Sequence, residues 1–246
     1  MTPAIVLLHG FTGTGASWRA VVDGLGQSYN ALAPDIRGHG SAHDRRPIGW
    51  RECVADVVAI APDRFSLAGY SMGARLALQV ALAHPDRVES LLLVSGTAGI
   101  ADDVERAARR EDDAALAQQI EGQDIEAFAA RWARQPLFRR QSPEVAAAAN
   151  ADRLRNTPSG LAAALRALGQ GEMEPLWSRL GDLRMPGTVI AGERDSKFRK
   201  LGERLVAGLA GGELVVVPAA GHAVHLEAPA AVSACLERLT GATATQ

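Results

Sequence analysis

The stretch Phe65-Ser-Leu-Ala-Gly69-Tyr70-Ser71-Met72-Gly73-Ala-Arg75 decides how the rest of the chain reads. An apolar run ends in Gly69-x-Ser71-x-Gly73, and helix-like spacing of Leu76, Ala77, Val80 and Ala81 follows as far as Pro85. A serine between two glycines at a strand-to-helix turn is a nucleophile elbow. The turn is sharp, only small residues fit on either side, and the hydroxyl stands clear of the backbone at the positive end of a helix. A Ser-Gly turn also gives this spacing by chance, so the motif has to be weighed with its surroundings.

Working outward, short apolar runs bounded by Gly, Pro or Asp recur at 5–8, 30–33, 65–70, 90–94, 188–191 and 214–217. Each is too short for a helix, and most are followed by turn residues and a helical pattern. That alternation predicts an α/β fold, a parallel sheet with helices on both faces. From residue 99 to about 180 it stops. Charged-apolar helical periodicity takes over (104–120, 125–133, 144–154, 161–168), and this stretch is expected to be a helical insertion covering the strand ends. The expected division is thus a core of residues 1–98 and 181–246 with a cap of residues 99–180. Residues 241–246 are expected to fray.

Open parallel sheets bind ligands outside the carboxyl ends of their strands. His9-Gly10, Asp35, Ser71, Asp195 and His222 all follow predicted strands. A serine hydroxyl becomes useful when an imidazole accepts its proton and a carboxylate fixes the imidazole tautomer. His222, in Pro218-Ala-Ala-Gly221-His222, and Asp195, in Gly192-Glu-Arg-Asp195, supply both, in the chain order Ser, Asp, His. His225 is a spare imidazole, read as structural. The backbone N–H groups of Phe11 and Met72 are the expected oxyanion donors. His9-Gly10-Phe11-Thr-Gly13-Thr-Gly15, with Asp35 about twenty residues on, also reads as a dinucleotide loop. Its glycine spacing is wrong for that, and neither tyrosine precedes a lysine by four.

The chain has 246 residues, enough for one domain with an insertion, and 47% of them are hydrophobic, which excludes a disordered chain. A net charge of −2 gives no reason to expect nucleic acid. Cys53 and Cys235 lie far apart with no metal spacing, as expected for buried free thiols in a reducing compartment. Without a basic leader or an apolar run of membrane-spanning length, a soluble cytoplasmic protein is expected, with no membrane partner. No cofactor or metal is implied. Nothing fixes an oligomeric state, and a monomer is the default. Arginine dominates the 26 basic residues, with lysine only at 197 and 200.

The core segments resemble the α/β-hydrolase superfamily. Further stretches are similar to one member family, the 2-succinyl-6-hydroxy-2,4-cyclohexadiene-1-carboxylate (SHCHC) synthases of menaquinone biosynthesis. They are Gly69-Tyr-Ser-Met-Gly-Ala-Arg75, Glu105-Arg-Ala-Ala-Arg-Arg110, Trp132-Ala-Arg-Gln-Pro-Leu-Phe138, Arg153-Leu-Arg-Asn-Thr-Pro-Ser-Gly-Leu-Ala162 and Gly192-Glu-Arg-Asp-Ser-Lys-Phe198. Ala74 stands where that family often has glycine, and it is still small. The first strand candidate begins almost at once, so the antiparallel hairpin that opens many α/β-hydrolases is expected to be absent.

The resemblance implies a lyase that keeps a Ser71–His222–Asp195 triad as a general base. It would eliminate pyruvate from 2-succinyl-5-enolpyruvyl-6-hydroxy-3-cyclohexene-1-carboxylate. A tricarboxylate substrate calls for planar cationic forks. Arg75 lies one helical turn after Ser71. By the resemblance Arg75, Arg109 and Arg155 bind the anion, with Arg106 and Arg153 left open as neighbours. Trp132 and Phe138 would line the apolar side or simply pack, and Tyr70 would offer its hydroxyl to a carboxylate or pack. A serine carboxylesterase is the alternative reading, and an idle binding module on the same fold a third.

Overall fold

Strands β1 (Ala4–Leu8), β2 (Asn30–Leu32), β3 (Phe65–Tyr70), β4 (Val88–Val94), β5 (Gly187–Gly192) and β6 (Glu213–Val217) form one sheet. Their order is β2-β1-β3-β4-β5-β6, and every pairing is parallel. The structure is a computed structural model and describes residues 2–243. All six expected runs are strands, with ends shifted by two residues or fewer. The sheet is α/β as expected, and its described strands include no antiparallel hairpin.

Parallel strands buried on both faces need apolar side chains on both, which is why they read as continuous runs. Val6, Leu8, Leu67, Leu91 and Leu93 pack one face, against helices Trp50–Ile60, Met72–Ala83 and Ser196–Gly208. Ile5, Leu7, Ala68, Leu92 and Val94 pack the other, against helices Arg19–Leu25 and Pro229–Thr243. Cys53 and Cys235 are buried in these two layers and unpaired.

Between β4 and β5 the described chain is helical. Helices Asp103–Glu121, Ile125–Ala133, Pro143–Arg153 and Pro158–Leu168 start on Asp102, Asp124, Ser142 and Thr157, whose side-chain oxygens each accept a first-turn N–H. Pro143 and Pro158 open the last two, where a missing N–H costs nothing. This layer has a small core of its own, in which Ile120, Phe128, Leu161 and Leu165 meet. Phe11 from the sheet side and Trp132 pack against it.

Strand register sets Leu8 beside Gly69, Tyr70 beside Val94, Val94 beside Ile190 and Gly192 beside Val217. The strand ends therefore line up along one edge beneath the helical layer. At the chain end, helix Pro229–Thr243 runs to the last described residue. Leu239 and Thr240 are buried, and the Thr240 hydroxyl donates to the Leu236 carbonyl at 2.9 Å. Residues 244–246 lie outside the described ones. No helix among the described residues is long and apolar enough to cross a membrane.

Candidate active site

The elbow follows from two close approaches. A Cβ on Gly69 would sit 2.6 Å from the Ala74 nitrogen, and one on Gly73 would sit 2.6 Å from the His9 carbonyl oxygen. Only glycine lets the helix Met72–Ala83 turn back this tightly on β3 and press against β1. Ser71 between them takes φ 51°, ψ −103°, a strained conformation for a side-chain-bearing residue, and its N–H donates to the Val94 carbonyl at 2.9 Å.

The loop after β6 brings His222 to this serine. Nε2 of His222 lies 3.3 Å from the Ser71 hydroxyl, and Nδ1 lies 2.7 Å from Asp195 Oδ2. With a carboxylate on Nδ1 the proton belongs there, leaving Nε2 as the acceptor for the hydroxyl. Asp195 has a second task. Its Oδ1 accepts the Phe198 N–H at 3.2 Å and caps helix Ser196–Gly208, so the carboxylate is held at both oxygens. The His222 loop is braced as firmly. Glu227 accepts the N–H groups of Gly221 (2.7 Å) and Ala223 (3.1 Å), and Ser95 donates to the His222 carbonyl at 2.8 Å. Phe198 packs on the imidazole with ring centroids 4.4 Å apart. The sequence reading assigned no role to Glu227, Ser95 or Phe198, although Phe198 closes one of the quoted motifs.

Above Ser71 lies a cavity of about 510 Å³, walled by the sheet edge below and the helical layer above. Ser71, His222, Phe11, Met72, Tyr70, Trp132 and Phe138 line it, as do Arg75 and Arg109. Among the described residues the N–H groups of Phe11 and Met72 have no hydrogen-bond acceptor. The Arg75 guanidinium is buried over the Trp50 ring (5.2 Å) and donates to the Leu168 carbonyl at 3.0 Å. Burial and the neighbouring Arg109 lower its pKa to about 9, against the pull of Asp113. Arg109 is oriented by Asp113 (2.8 Å) and Gln170 (2.9 Å). Lys197 also lines the cavity, a cation that the sequence reading quoted without assigning a role. Asp112 and Asp113 share this wall with Arg75, Arg109 and Lys197, so the chamber carries a net positive charge beside the hydrogen-bonded Ser-His-Asp series and can hold an anion against a base.

Other expected residues fall elsewhere. Arg155 does not line this cavity. Helix Pro143–Arg153 has ended before it, and its side chain is 63% exposed, with Nε 3.8 Å from Asp152. Arg153, two residues earlier, turns inward and is buried. Arg106 is taken by Asp103 and the Ile100 carbonyl. Asp35, the acid of the dinucleotide reading, instead braces two loops by accepting the Gly15 N–H (2.8 Å) and the Ser41 N–H (2.7 Å).

His225 is stacked between Trp18 and Tyr70, with centroids 4.9 and 4.1 Å away. Burial, helped by His222, drops its pKa to about 3, and burial with His9 does the same to His39. Both imidazoles stay neutral in the folded protein, while in the unfolded chain they protonate near pH 6.5. Below that pH the unfolded state binds more protons, so stability must fall as pH falls from about 6.5 towards 3. Between pH 7.5 and 5.5 the two together should cost about 3 kcal/mol, a Tm drop of about 5–10 °C. A thermal melt series would show it, and a flat or rising Tm would contradict it.

The family model described as "Alpha/beta hydrolase family" matches residues 5–234, and the chain belongs to that family. Over 241 residues it is 33% identical to the 2-succinyl-6-hydroxy-2,4-cyclohexadiene-1-carboxylate synthase of Enterobacter sp. (strain 638), covering 96% of this chain and 91% of that protein. The solved structure of MenH from S. aureus superposes with a TM-score of 0.93 at 26% identity, covering 99% of this chain and 95% of that one. Within the α/β-hydrolases, the chain is a member of the SHCHC synthase family. A thermophilic esterase from Thermogutta terrifontis shares the fold (TM-score 0.85, 22% identity, 98% of this chain and 90% of that one).

Proposed function

We propose that this enzyme is a lyase that eliminates pyruvate from 2-succinyl-5-enolpyruvyl-6-hydroxy-3-cyclohexene-1-carboxylate to give SHCHC. The observation that carries the reading is the cavity, where the hydrogen-bonded Ser71–His222–Asp195 series opens onto the same space as Arg75 and Arg109. The substrate is a tricarboxylate, and a neutral ester would have no use for these cations.

In the proposed reaction Ser71 passes its hydroxyl proton to His222 Nε2 while its oxygen removes the ring proton α to the succinyl ketone. The C–H electron pair forms a double bond to the ketone carbon, the carbonyl π pair passes to oxygen to give an enolate, and that oxygen gathers charge beside the Phe11 and Met72 N–H groups. Collapse of the enolate forms the second ring double bond and breaks the bond to the enolpyruvyl oxygen. The departing enolpyruvate takes up the proton held on His222 Nε2, which restores the neutral imidazole, and becomes pyruvate. Asp195 stabilises the imidazolium formed meanwhile. Oxyanion donors and base serve ester cleavage equally well, so the cations decide between the lyase and the esterase readings.

Arg75→Ala and Arg109→Ala are expected to raise KM for the tricarboxylate about 10–100-fold, since a hydrogen bond to a charged group is worth about 1.5–3 kcal/mol. The rise for p-nitrophenyl acetate should be several-fold smaller. Arg155→Ala should have the weakest effect of the three. Equal KM changes for both substrates in the Arg75 and Arg109 variants would remove the argument for a polyanionic substrate.

A further inference from the structure

The turn that carries the Phe11 N–H is braced from the helical layer. Gly13 N–H donates back to the Gly10 carbonyl at 3.1 Å and closes Gly10-Phe11-Thr12-Gly13 into a turn. Thr12, its third residue, is buried and takes φ 69°. That left-handed conformation is one β-branched residues avoid, and turns of this kind usually give the position to glycine. A group outside the turn has to hold Thr12 there.

Asn156 is that group. It lies just beyond helix Pro143–Arg153 and is 4% exposed. Its Nδ2 donates to the Thr12 carbonyl at 2.9 Å and to the Arg153 carbonyl at 3.0 Å, while Oδ1 accepts the Gly40 N–H at 3.0 Å. The reverse amide orientation would set its oxygen against two carbonyls, so the donor faces Thr12. Asp152, on the last turn of the same helix, grips the loop a little further on by accepting the Thr14 N–H at 2.8 Å.

These bonds run in series through two peptide planes. The C=O and N–H of a trans peptide point in opposite directions. With the Thr12 carbonyl held by Asn156, the Gly13 N–H on the same plane is aimed at the Gly10 carbonyl. That carbonyl also accepts from His9 Nδ1 at 2.9 Å, which carries the proton because Nε2 accepts the Ile36 N–H. With the Gly10 carbonyl held twice, the Phe11 N–H on its plane is aimed away from the turn, and it has no acceptor among the described residues. Each bond in such a series polarises the next. We propose that Asn156 is the positioning residue of the oxyanion site: from the helical layer it fixes the Gly10–Gly13 turn so that the Phe11 N–H meets the oxygen on which charge develops. Asn156 does not line the cavity and acts through the turn alone. The assignment rests on the Phe11 N–H as an oxyanion donor, which the lyase and esterase readings share.

The test measures kcat and KM for pyruvate release and for p-nitrophenyl acetate, with affinity for phenylboronic acid and Tm beside them. Boron takes an electron pair from the Ser71 oxygen, the hydroxyl proton passes to His222 Nε2, and an oxygen of the tetrahedral boronate enters the oxyanion site. Asn156→Ala is expected to lower kcat about 10–100-fold on both substrates, less than outright loss of an oxyanion donor. Boronate affinity should fall by a similar factor, while KM stays within about threefold. Asn156→Asp keeps the acceptor for Gly40 and loses the donor for Thr12, so it should fall as far as Asn156→Ala. Adding Thr12→Gly to Asn156→Ala should recover kcat at least about threefold, because glycine takes φ 69° without strain. Either Asn156 variant, if the other does not fold, carries the comparison. Wild-type kcat in Asn156→Asp, equal changes in kcat and KM, or no recovery with Thr12→Gly would make Asn156 a structural tie and overturn its role. Loss of boronate affinity and ester cleavage in the Asn156 variants of a protein that releases no pyruvate would leave that role standing and remove the lyase. Pyruvate release indifferent to Asn156 would do the reverse.

Discussion

Ser71→Ala is expected to lower kcat for pyruvate release about 10³–10⁴-fold, the upper part of the range for loss of a general base. KM should stay within about threefold, because the cations that would hold the carboxylates are untouched. The fold should also be unaffected. The Ser71 side chain makes one hydrogen bond, to His222, while the backbone N–H that fixes the turn remains in alanine. His222→Ala should be equally damaging, and a Ser71→Ala/His222→Ala double variant scarcely worse than either single one, since the pair moves one proton. Asp195→Asn should also be severe, because an amide favours the wrong imidazole tautomer and weakens the cap on helix Ser196–Gly208. Steady-state kinetics on the purified variants checks all of these. A Ser71→Ala enzyme retaining more than a tenth of wild-type kcat would remove the serine from the chemistry.

Gly73→Ala should be the most damaging conservative change in the fold. The added Cβ would lie 2.5 Å from the Leu8 carbonyl carbon and 2.6 Å from the His9 carbonyl oxygen. Both are backbone atoms of β1 and its exit turn, so no side chain can swing aside to make room. The helix carrying the elbow must retreat from β1, at a cost of about 3 kcal/mol or more. A shift of about 1 Å at the serine would reduce the rate about 100-fold in addition. A Tm fall of about 6–12 °C together with that loss of activity is expected. Gly181→Ala is the control, since a Cβ there meets nothing within 4 Å and should leave both quantities unchanged. A Gly73→Ala protein with wild-type Tm would mean that the close approach does not hold the elbow.

The fold was legible because its determinants are local. Strands such as 91–94 are buried on both faces and stand out as apolar runs between turn residues, and the helices between β4 and β5 show a charged-apolar helical period. Ser71, Asp195 and His222 could be grouped because each follows a strand of one parallel sheet, and topology alone sends those ends to one edge. Arg75 could be added because helical geometry ties it to Ser71.

Legibility failed where no period applies. Arg153 and Arg155 are two residues apart across a helix end. Once the helix stops, spacing no longer says which turns inward, and the resemblance pointed to Arg155. Asp35 has the spacing of a ribose-binding acid, but its use as a loop brace depends on Gly15 and Ser41 arriving from two other segments. Glu227 looks like any surface acid until the loop folds back and places its carboxylate against the N–H groups on either side of His222.

The most direct measurement is pyruvate release by the purified protein from the enolpyruvyl substrate, generated in situ by the preceding pathway enzyme, with p-nitrophenyl acetate run beside it. The account predicts pyruvate release far above the spontaneous rate, with diene absorbance rising in step and ester cleavage slow. No acceleration of pyruvate release, with brisk ester hydrolysis, would contradict it and make this an esterase.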